Sequence, residues 1–341
     1  MSKKDFQTII ISRTDAIGDV VLTFPFVSMV KKNPGENIKI IFFGKTYTQP
    51  VINCCDSIDY FINYETFRGF SKQGQADFLK ECNADAIIHV FPRKDIAVAA
   101  KKARIPLRIG TTNRFYHWLA CNRLVMLSRK NSSLHEAELN MKLLKPLGSF
   151  IDISLKEIPS LYNFKNKYDL PENISELLSP EKFRLIIHPK SNASAREWKA
   201  DHYQDLIRFL SYKNFQVIIT GGIAEESFIS DWAKKLPANV LNLAGKLSLE
   251  DLIALINACD GIVAASTGPL HIAAALCKYS LGIFPPIRPM HPGRWAPVGL
   301  KAEYLVSKKD CSDCRNAPQL CHCINDISPD MVYNQIVQWV K

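Results

Sequence analysis

Apolar and polar positions alternate in two long series along the chain. In the first half, short β-type runs at 8–12, 38–43, 60–64, 86–90 and 107–110 are separated by stretches of helical period such as 19–32 and 95–103. The second half repeats the scheme, with strands at 184–187, 216–220, 240–243, 262–265 and 280–284. Helical patterns at 201–212, 225–235 and 249–259 lie between them. Short apolar runs alternating with helices predict parallel sheets covered by helices on both faces. Residues 151–181 lose periodicity and include Pro159, Pro171 and Pro180, which marks them as the interdomain segment. Pro25 falls inside the first helical pattern and should kink it or delay its start. The last stretch opens Ser328-Pro329 and reads as a capped helix with Pro at its first position.

Two strand–loop–helix junctions carry polar residues suited to a ligand. Residues 261–277, GIVAASTGPLHIAAALC, run from an apolar strand through Ser266-Thr267-Gly268 into a helix opened by Pro269. The free N–H groups and positive dipole end of such a helix make an anion site, above all for phosphate. Thr267 adds a hydroxyl, and Gly268 lets the backbone come close. The plain alternative is an ordinary strand–turn–helix unit of an α/β core. Residues 9–22, IIISRTDAIGDVVL, place Arg13, Asp15 and Asp19 beyond the carboxyl end of a strand, where open α/β sheets bind ligands. Gly18 stands alone, with no G-x-G-x-x-G, which disfavours a hydride-transfer enzyme.

Taken together, the motifs resemble glycosyltransferase family 9, the ADP-heptose:lipopolysaccharide heptosyltransferases. The matching residues are Arg13-x-Asp15-x-x-Gly18-Asp19, His188-Pro189 with Arg196-x-Trp198, Gly221-Gly222-x-x-Glu225, and Ser266-Thr267-Gly268-Pro269-x-His271. They stand in the family's order over essentially the whole chain. The resemblance implies the GT-B fold, two Rossmann-like domains facing a cleft. Residues 1–165 would form the acceptor domain and 166–327 the nucleotide-sugar domain. A terminal helix, 328–341, would cross back to the first.

Composition fits a globular chain of two domains: 341 residues, 47% hydrophobic and 22% charged. The opening MSKKDF is polar, and no apolar run is long enough to span a bilayer, so the expected compartment is the cytoplasm. Net charge is +10, and the stretch 93–130 holds ten Lys and Arg against Asp95 alone. Phe115, Tyr116 and Trp118 sit among these cations. So lopsided a run favours a surface for an anionic partner over a merely solvated face. No nucleic-acid-binding pattern accompanies it, and nucleic acid is not expected as a partner.

The resemblance assigns roles residue by residue. Asp19 is the base that takes the acceptor hydroxyl's proton; without the resemblance, Asp15 is an equal candidate, and Asp19 could simply cap the first helix. Donor-binding residues are Lys190, Arg196, Glu225, Ser266, Thr267, Gly268, Pro269 and His271. Arg196 and the N–H groups near Thr267 would meet the diphosphate. Glu225, or Glu226 if the register slips by one, would hold the ribose. Arg13, Asp15, Arg93, Lys94, Arg114 and Arg123 would receive a phosphorylated lipid A–core acceptor at the inner face of the cytoplasmic membrane, where the protein would be peripheral. Ser266 departs from the family, which usually carries Asp there; the sugar's identity is therefore open. His135 reads as structural. No catalytic metal or cofactor is required beyond the ADP-heptose donor.

Ten cysteines without an export signal argue for thiols or metal ligands. Cys311, Cys314, Cys321 and Cys323 could hold a structural zinc; a disulfide and free thiols are the alternatives. Two other functions stay open beside heptose transfer. One is a GT-B enzyme using another nucleotide sugar, as a transferase or epimerase. The other is a non-catalytic binder of a nucleotide sugar or core oligosaccharide.

Overall fold

A computed structural model describes residues 6–32, 37–129, 132–148, 153–192, 195–210, 212–288, 290–308 and 323–340. The chain divides into two units, Met1–Lys165 and Asn166–Lys341. Each is built on a six-stranded sheet whose pairings are all parallel.

In the first unit the strands are β1 (Thr8–Ser12), β2 (Lys39–Gly44), β3 (Tyr60–Asn63), β4 (Ala86–His89), β5 (Leu107–Thr111) and β6 (Arg123–Val125). Their spatial order is β3-β2-β1-β4-β5-β6. The second unit uses β7 (Phe183–His188), β8 (Phe215–Ile219), β9 (Leu241–Asn242), β10 (Gly261–Ala264), β11 (Tyr279–Phe284) and β12 (Ala302–Val306). Their order, β12-β11-β10-β7-β8-β9, is the same winding. Central strands are buried on both faces, which is why Ile9, Ile10 and Ile11 read as one apolar run without alternation. In each sheet the winding reverses beside its first strand, between β1 and β4 and between β7 and β10. That reversal leaves a crevice at the strands' carboxyl ends.

Local chemistry sets the breaks between elements. The first predicted helix is two: Ile17–Val21, then Phe24–Lys31 with Pro25 in its opening turn. The ring cannot donate to a preceding carbonyl, so the chain restarts there. The proline-containing connector begins as part of the first unit. Phe164 stacks on Phe24 at 5.5 Å between ring centres and bridges to Cys55.

The C-terminal helix forms and packs on the core of the second unit. Helix Pro329–Ile336 is capped by the Ser328 side chain, which accepts the Met331 N–H. Val332, Ile336 and Trp339 enter the core around Leu185, Trp198 and Tyr203. Trp339 stacks on Tyr279 at 5.1 Å. Burying this apolar face against its own sheet gives the helix enough contact to hold it there. Among the described residues, no helix is long and apolar enough to cross a membrane.

Candidate functional site

The loop after β1 turns a basic side chain inward. Arg13 is 1% exposed, although it is the largest buried side chain of the unit. Its Nε lies 2.8 Å from Asp15 Oδ1, its Nη2 pairs with Asp19 Oδ1, and its Nη1 donates to Glu136 Oε1 at 3.0 Å. Glu136, fully buried, also accepts from Arg129 Nε at 2.8 Å. Asn140 joins the two arginines through its side-chain oxygen, 3.2 Å from Arg129 Nη2 and 3.5 Å from Arg13 Nη1. Its amide nitrogen donates to Leu22 O at 3.2 Å, which ties the cluster to the first helices.

Charges enclosed in this way survive because they are paired. Burial works against the Arg13 guanidinium, but Asp15, Asp19 and Glu136 outweigh it and hold the side chain cationic. Burial pushes the carboxyls of Asp15 and Asp19 above the usual carboxylate range, while Arg13 pulls both back down. Asp19 lies in the first turn of helix Ile17–Val21, yet no side chain caps that helix. Its carboxylate is spent on Arg13 instead of a helix N–H.

Arg93, beyond β4 on the other side of the crevice, reaches the same loop. Its Nε donates to Thr14 Oγ1 at 2.9 Å and its Nη2 to Thr14 O at 3.1 Å. Lys94 and Arg114 are exposed; Arg114 follows β5 at the carboxyl rim. Arg123 opens the edge strand β6 at the opposite, amino end of the sheet, so it does not join the Arg13 loop. Several other cations of the 93–130 stretch serve the fold. Lys101 donates to Leu119 O, and Arg108 to Ile105 O and Ala120 O. His135 accepts the Ala137 N–H at 3.2 Å and caps the helix that carries Glu136.

In the second unit a cavity of about 300 Å³ opens at the carboxyl ends of β7, β8 and β10. His188 ends β7 inside it, and its Nδ1 lies 2.9 Å from Thr220 Oγ1. Burial pushes the His188 imidazole down to about 4, so it stays neutral at physiological pH. Thr220, Gly221 and Gly222 form the wall after β8. A Cβ on Gly221 would meet Ile229 Cδ1, so a side chain there would require the buried Ile229 to shift. Glu225 lines the cavity with both carboxylate oxygens in use: Oε2 accepts from Gly222 N and Oε1 from Asn192 N, each at 2.9 Å. A carboxylate has about four acceptor sites, so two remain for a ligand.

Thr267, Gly268 and Pro269 line the third wall, where helix Gly268–Ala275 begins. No side chain caps this helix. The Thr267 hydroxyl is buried with no hydrogen-bond partner among the described residues. A buried polar atom left unpaired is uncommon and points to a missing ligand or water. Free N–H groups, a positive dipole end and an unpaired hydroxyl thus meet at one point of the cavity.

The remaining predicted donor residues stand near this cavity in sequence without lining it. Lys190 pairs with Glu197 and lies 4.6 Å above the Phe228 ring centre. Arg196 and Ser266 are half-buried, and His271 is buried in helix Gly268–Ala275. Cys311, Cys314 and Cys321 lie outside the described residues; Cys323 is buried. Among the described residues, no group of three metal-ligating side chains comes together.

The sequence profile of glycosyltransferase family 9 (heptosyltransferase) matches residues 76–325. The chain belongs to glycosyltransferase family 9. It is a glycosyltransferase of α/β, GT-B type. The chain is 27% identical over 310 residues to a Haemophilus influenzae protein described as "Putative glycosyltransferase", covering 86% of each chain. The family 9 glycosyl transferase of Veillonella parvula superposes with a TM-score of 0.82 at 17% identity, covering 99% of this chain and 98% of its own. The Escherichia coli ADP-heptose lps heptosyltransferase II superposes with a TM-score of 0.73 at 18% identity, covering 98% of each chain.

Sequence reasoning missed Glu136, Arg129 and Asn140 as partners of Arg13. It also missed Thr220 and the 247–249 turn as cavity walls. Acidic Glu136 directly after the capping His135 was visible, but its partner lay more than a hundred residues away.

Proposed function

We propose that this family 9 enzyme transfers a heptose from ADP-L-glycero-D-manno-heptose to the inner core of a lipopolysaccharide acceptor, with inversion at the anomeric carbon. The observation that carries the reading is the meeting of the uncapped Gly268–Ala275 helix with the buried, unpaired Thr267 hydroxyl in the cavity of the second unit. That point suits a diphosphate, whose negative charge grows as the sugar leaves. Glu225, beside Gly222, holds the ribose through its two unused acceptor sites. Arg196 and Lys190 add positive charge when the 190–197 segment meets the donor. The E. coli ADP-heptose lps heptosyltransferase II shares the fold, which supports a nucleotide sugar of this kind.

Asp19 takes the proton of the acceptor hydroxyl. Its carboxylate is mostly buried, its basicity is raised by that burial, and Arg13 holds it in place. The hydroxyl oxygen then forms the new glycosidic bond as the bond to the diphosphate breaks, and ADP carries away the electron pair. Arg93, Lys94 and Arg114 at the carboxyl rim of the first sheet receive the acceptor's phosphates. The enzyme works in the cytoplasm, peripheral to the inner membrane.

The test is ADP release from ADP-L-glycero-D-manno-heptose, with and without a heptose-free lipopolysaccharide core, in wild type and Asp19→Ala. Release that needs the acceptor and is lost in the variant is expected. Tight ADP binding with no release from this donor would overturn the assignment of the sugar and direct attention to Ser266.

A further inference from the structure

Large apolar side chains are exposed singly over most of the surface, as is normal for a soluble domain. The helix Phe115–Ala120 is different. Phe115 is 79% exposed, and Trp118 and Leu119 are each 60% exposed. Their spacing of three and four residues puts them on one face, while His117 and Ala120 are buried on the other. The Trp118 indole is held rather than loose: Nε1 donates to Thr112 O at 2.9 Å, leaving the ring's apolar body outward. Thr112 N donates in turn to Val125 O, which brings Met126, 89% exposed, alongside. Phe115 and Met126 both stand at the carboxyl rim of the first sheet, the rim that carries Arg13 and Asp19.

The neighbouring helix, Lys94–Lys102, lies against this one and is cationic where it is exposed. Lys94, Val98, Lys101 and Lys102 are its exposed positions, and the spacing of Lys94, Val98 and Lys101 follows one face. Lys101 Nζ joins the two helices by donating to Leu119 O at 2.8 Å. No acidic side chain other than Asp95 occurs between 93 and 130, and Asp95 is engaged by the Tyr64 hydroxyl.

We propose that the Phe115–Ala120 helix, with Met126 and the cationic face of Lys94–Lys102, is a membrane-docking surface that enters an anionic bilayer. Rigid aromatic side chains with a bonded polar edge suit the headgroup boundary, and the surrounding ammonium and guanidinium groups suit anionic lipid. A second copy of the same surface is a poor occupant, since two cationic faces would meet without acidic partners. The surface gives the peripheral location proposed above a physical basis, but lipid binding itself needs neither donor nor acceptor.

The experiment uses the full chain with vesicles of phosphatidylcholine alone or mixed with phosphatidylglycerol, free of lipopolysaccharide and nucleotide sugar. Sedimentation should show binding to the anionic vesicles, weakened by salt, and little to the neutral ones. Phe115→Ser with Leu119→Ser keeps the Trp118 bond and should lower the partition about tenfold or more. Lys94→Gln with Lys102→Gln should lower it about fivefold per charge. Leu300→Ser, at an isolated exposed position of the second unit, should change nothing. Thermal melting and ADP affinity check that each variant is folded. Equal binding to both vesicle types, no binding, or full binding by the Phe115/Leu119 variant would overturn the proposal. Self-association abolished by that variant, in a chain that ignores vesicles, would overturn it in favour of a protein contact. Failure of heptose transfer would leave the vesicle result standing.

Discussion

Arg13 and Glu136 are separated by 123 residues of chain and joined by a 3.0 Å hydrogen bond. Both are essentially inaccessible to water. Glu136 faces two guanidinium groups, those of Arg13 and Arg129. Removing one member of a buried charge network leaves the others uncompensated. Glu136→Ala should therefore lose about 3–5 kcal/mol of stability, read from urea unfolding. ADP affinity, which belongs to the second unit, should be unchanged while the protein is folded.

Asp19→Asn keeps the shape of the side chain and removes its basicity. It should lower kcat by about 10²–10⁴, the usual contribution of a general base, with ADP affinity retained. Asp15→Asn should cost less. Steady-state ADP release measures both, and the reverse ranking would transfer the role to Asp15.

Burial raises the carboxyl of Asp19, opposed by Arg13 and assisted by the negative charge of Glu136. A general base acts only when deprotonated. Activity should therefore fall as pH drops through the raised value, placing the acid limb of kcat/KM above the ordinary carboxylate value of about 4. Glu136→Gln removes a charge that favours protonation of Asp19, so the limb should move to lower pH. A limb that moves upward would contradict this account of the field.

Thr267→Val removes the unpaired hydroxyl from the cavity and keeps the side chain's volume. Hydrogen bonds to charged groups contribute about 1.5–3 kcal/mol, so ADP should bind about 10- to 100-fold more weakly. Thr267→Ser should restore most of the affinity. Titration calorimetry distinguishes the two, and equal weakening in both variants would show that the hydroxyl does not meet the nucleotide.

Glu225 already joins Asn192 to Gly222, so its substitution has a structural component. Glu225→Ala should weaken ADP binding about tenfold or more if the ribose hydroxyls are held by the carboxylate. The comparison that isolates this is 2′,3′-dideoxy-ADP. Wild type and variant should bind that analogue almost equally; a loss as large as for ADP would leave Glu225 a loop-holding residue alone.

The strongly buried elements were legible in the sequence because burial on both faces leaves an uninterrupted apolar run. β1, β4, β7 and β10 are of this kind. β6 and β12 were missed, and each is the last strand of its sheet. RLV is only three residues long and AEYLV carries Glu303 in a strand that is only half-buried, so neither shows a sustained apolar run, whereas the edge strands β3 and β9 were legible. The break at Pro25 was legible because its cause is local. The cluster around Arg13 was only half visible: Asp15 and Asp19 share its loop, whereas Glu136, Arg129 and Asn140 arrive through tertiary folding. The basic run misled in another way. Composition counts charges but not their partners, and Lys101, Arg108 and Arg129 are bonded within the unit.

The identical winding of the two sheets has a consequence for how this enzyme can change. In each unit, one place on the rim lies where the connections leave the sheet in opposite directions, and the loops there join the sheet's backbone bonding only at their first residues, as Arg13 N does with Phe43 O. Their residues can be rewritten without unpicking a ladder. On the function proposed above, the choice of proton acceptor and the choice of nucleotide would thus be written on separate, replaceable margins of two stable frames. A substitution at Ser266 would then alter the margin of the second unit and leave the contacts of Arg13 with Asp15, Asp19 and Glu136 untouched.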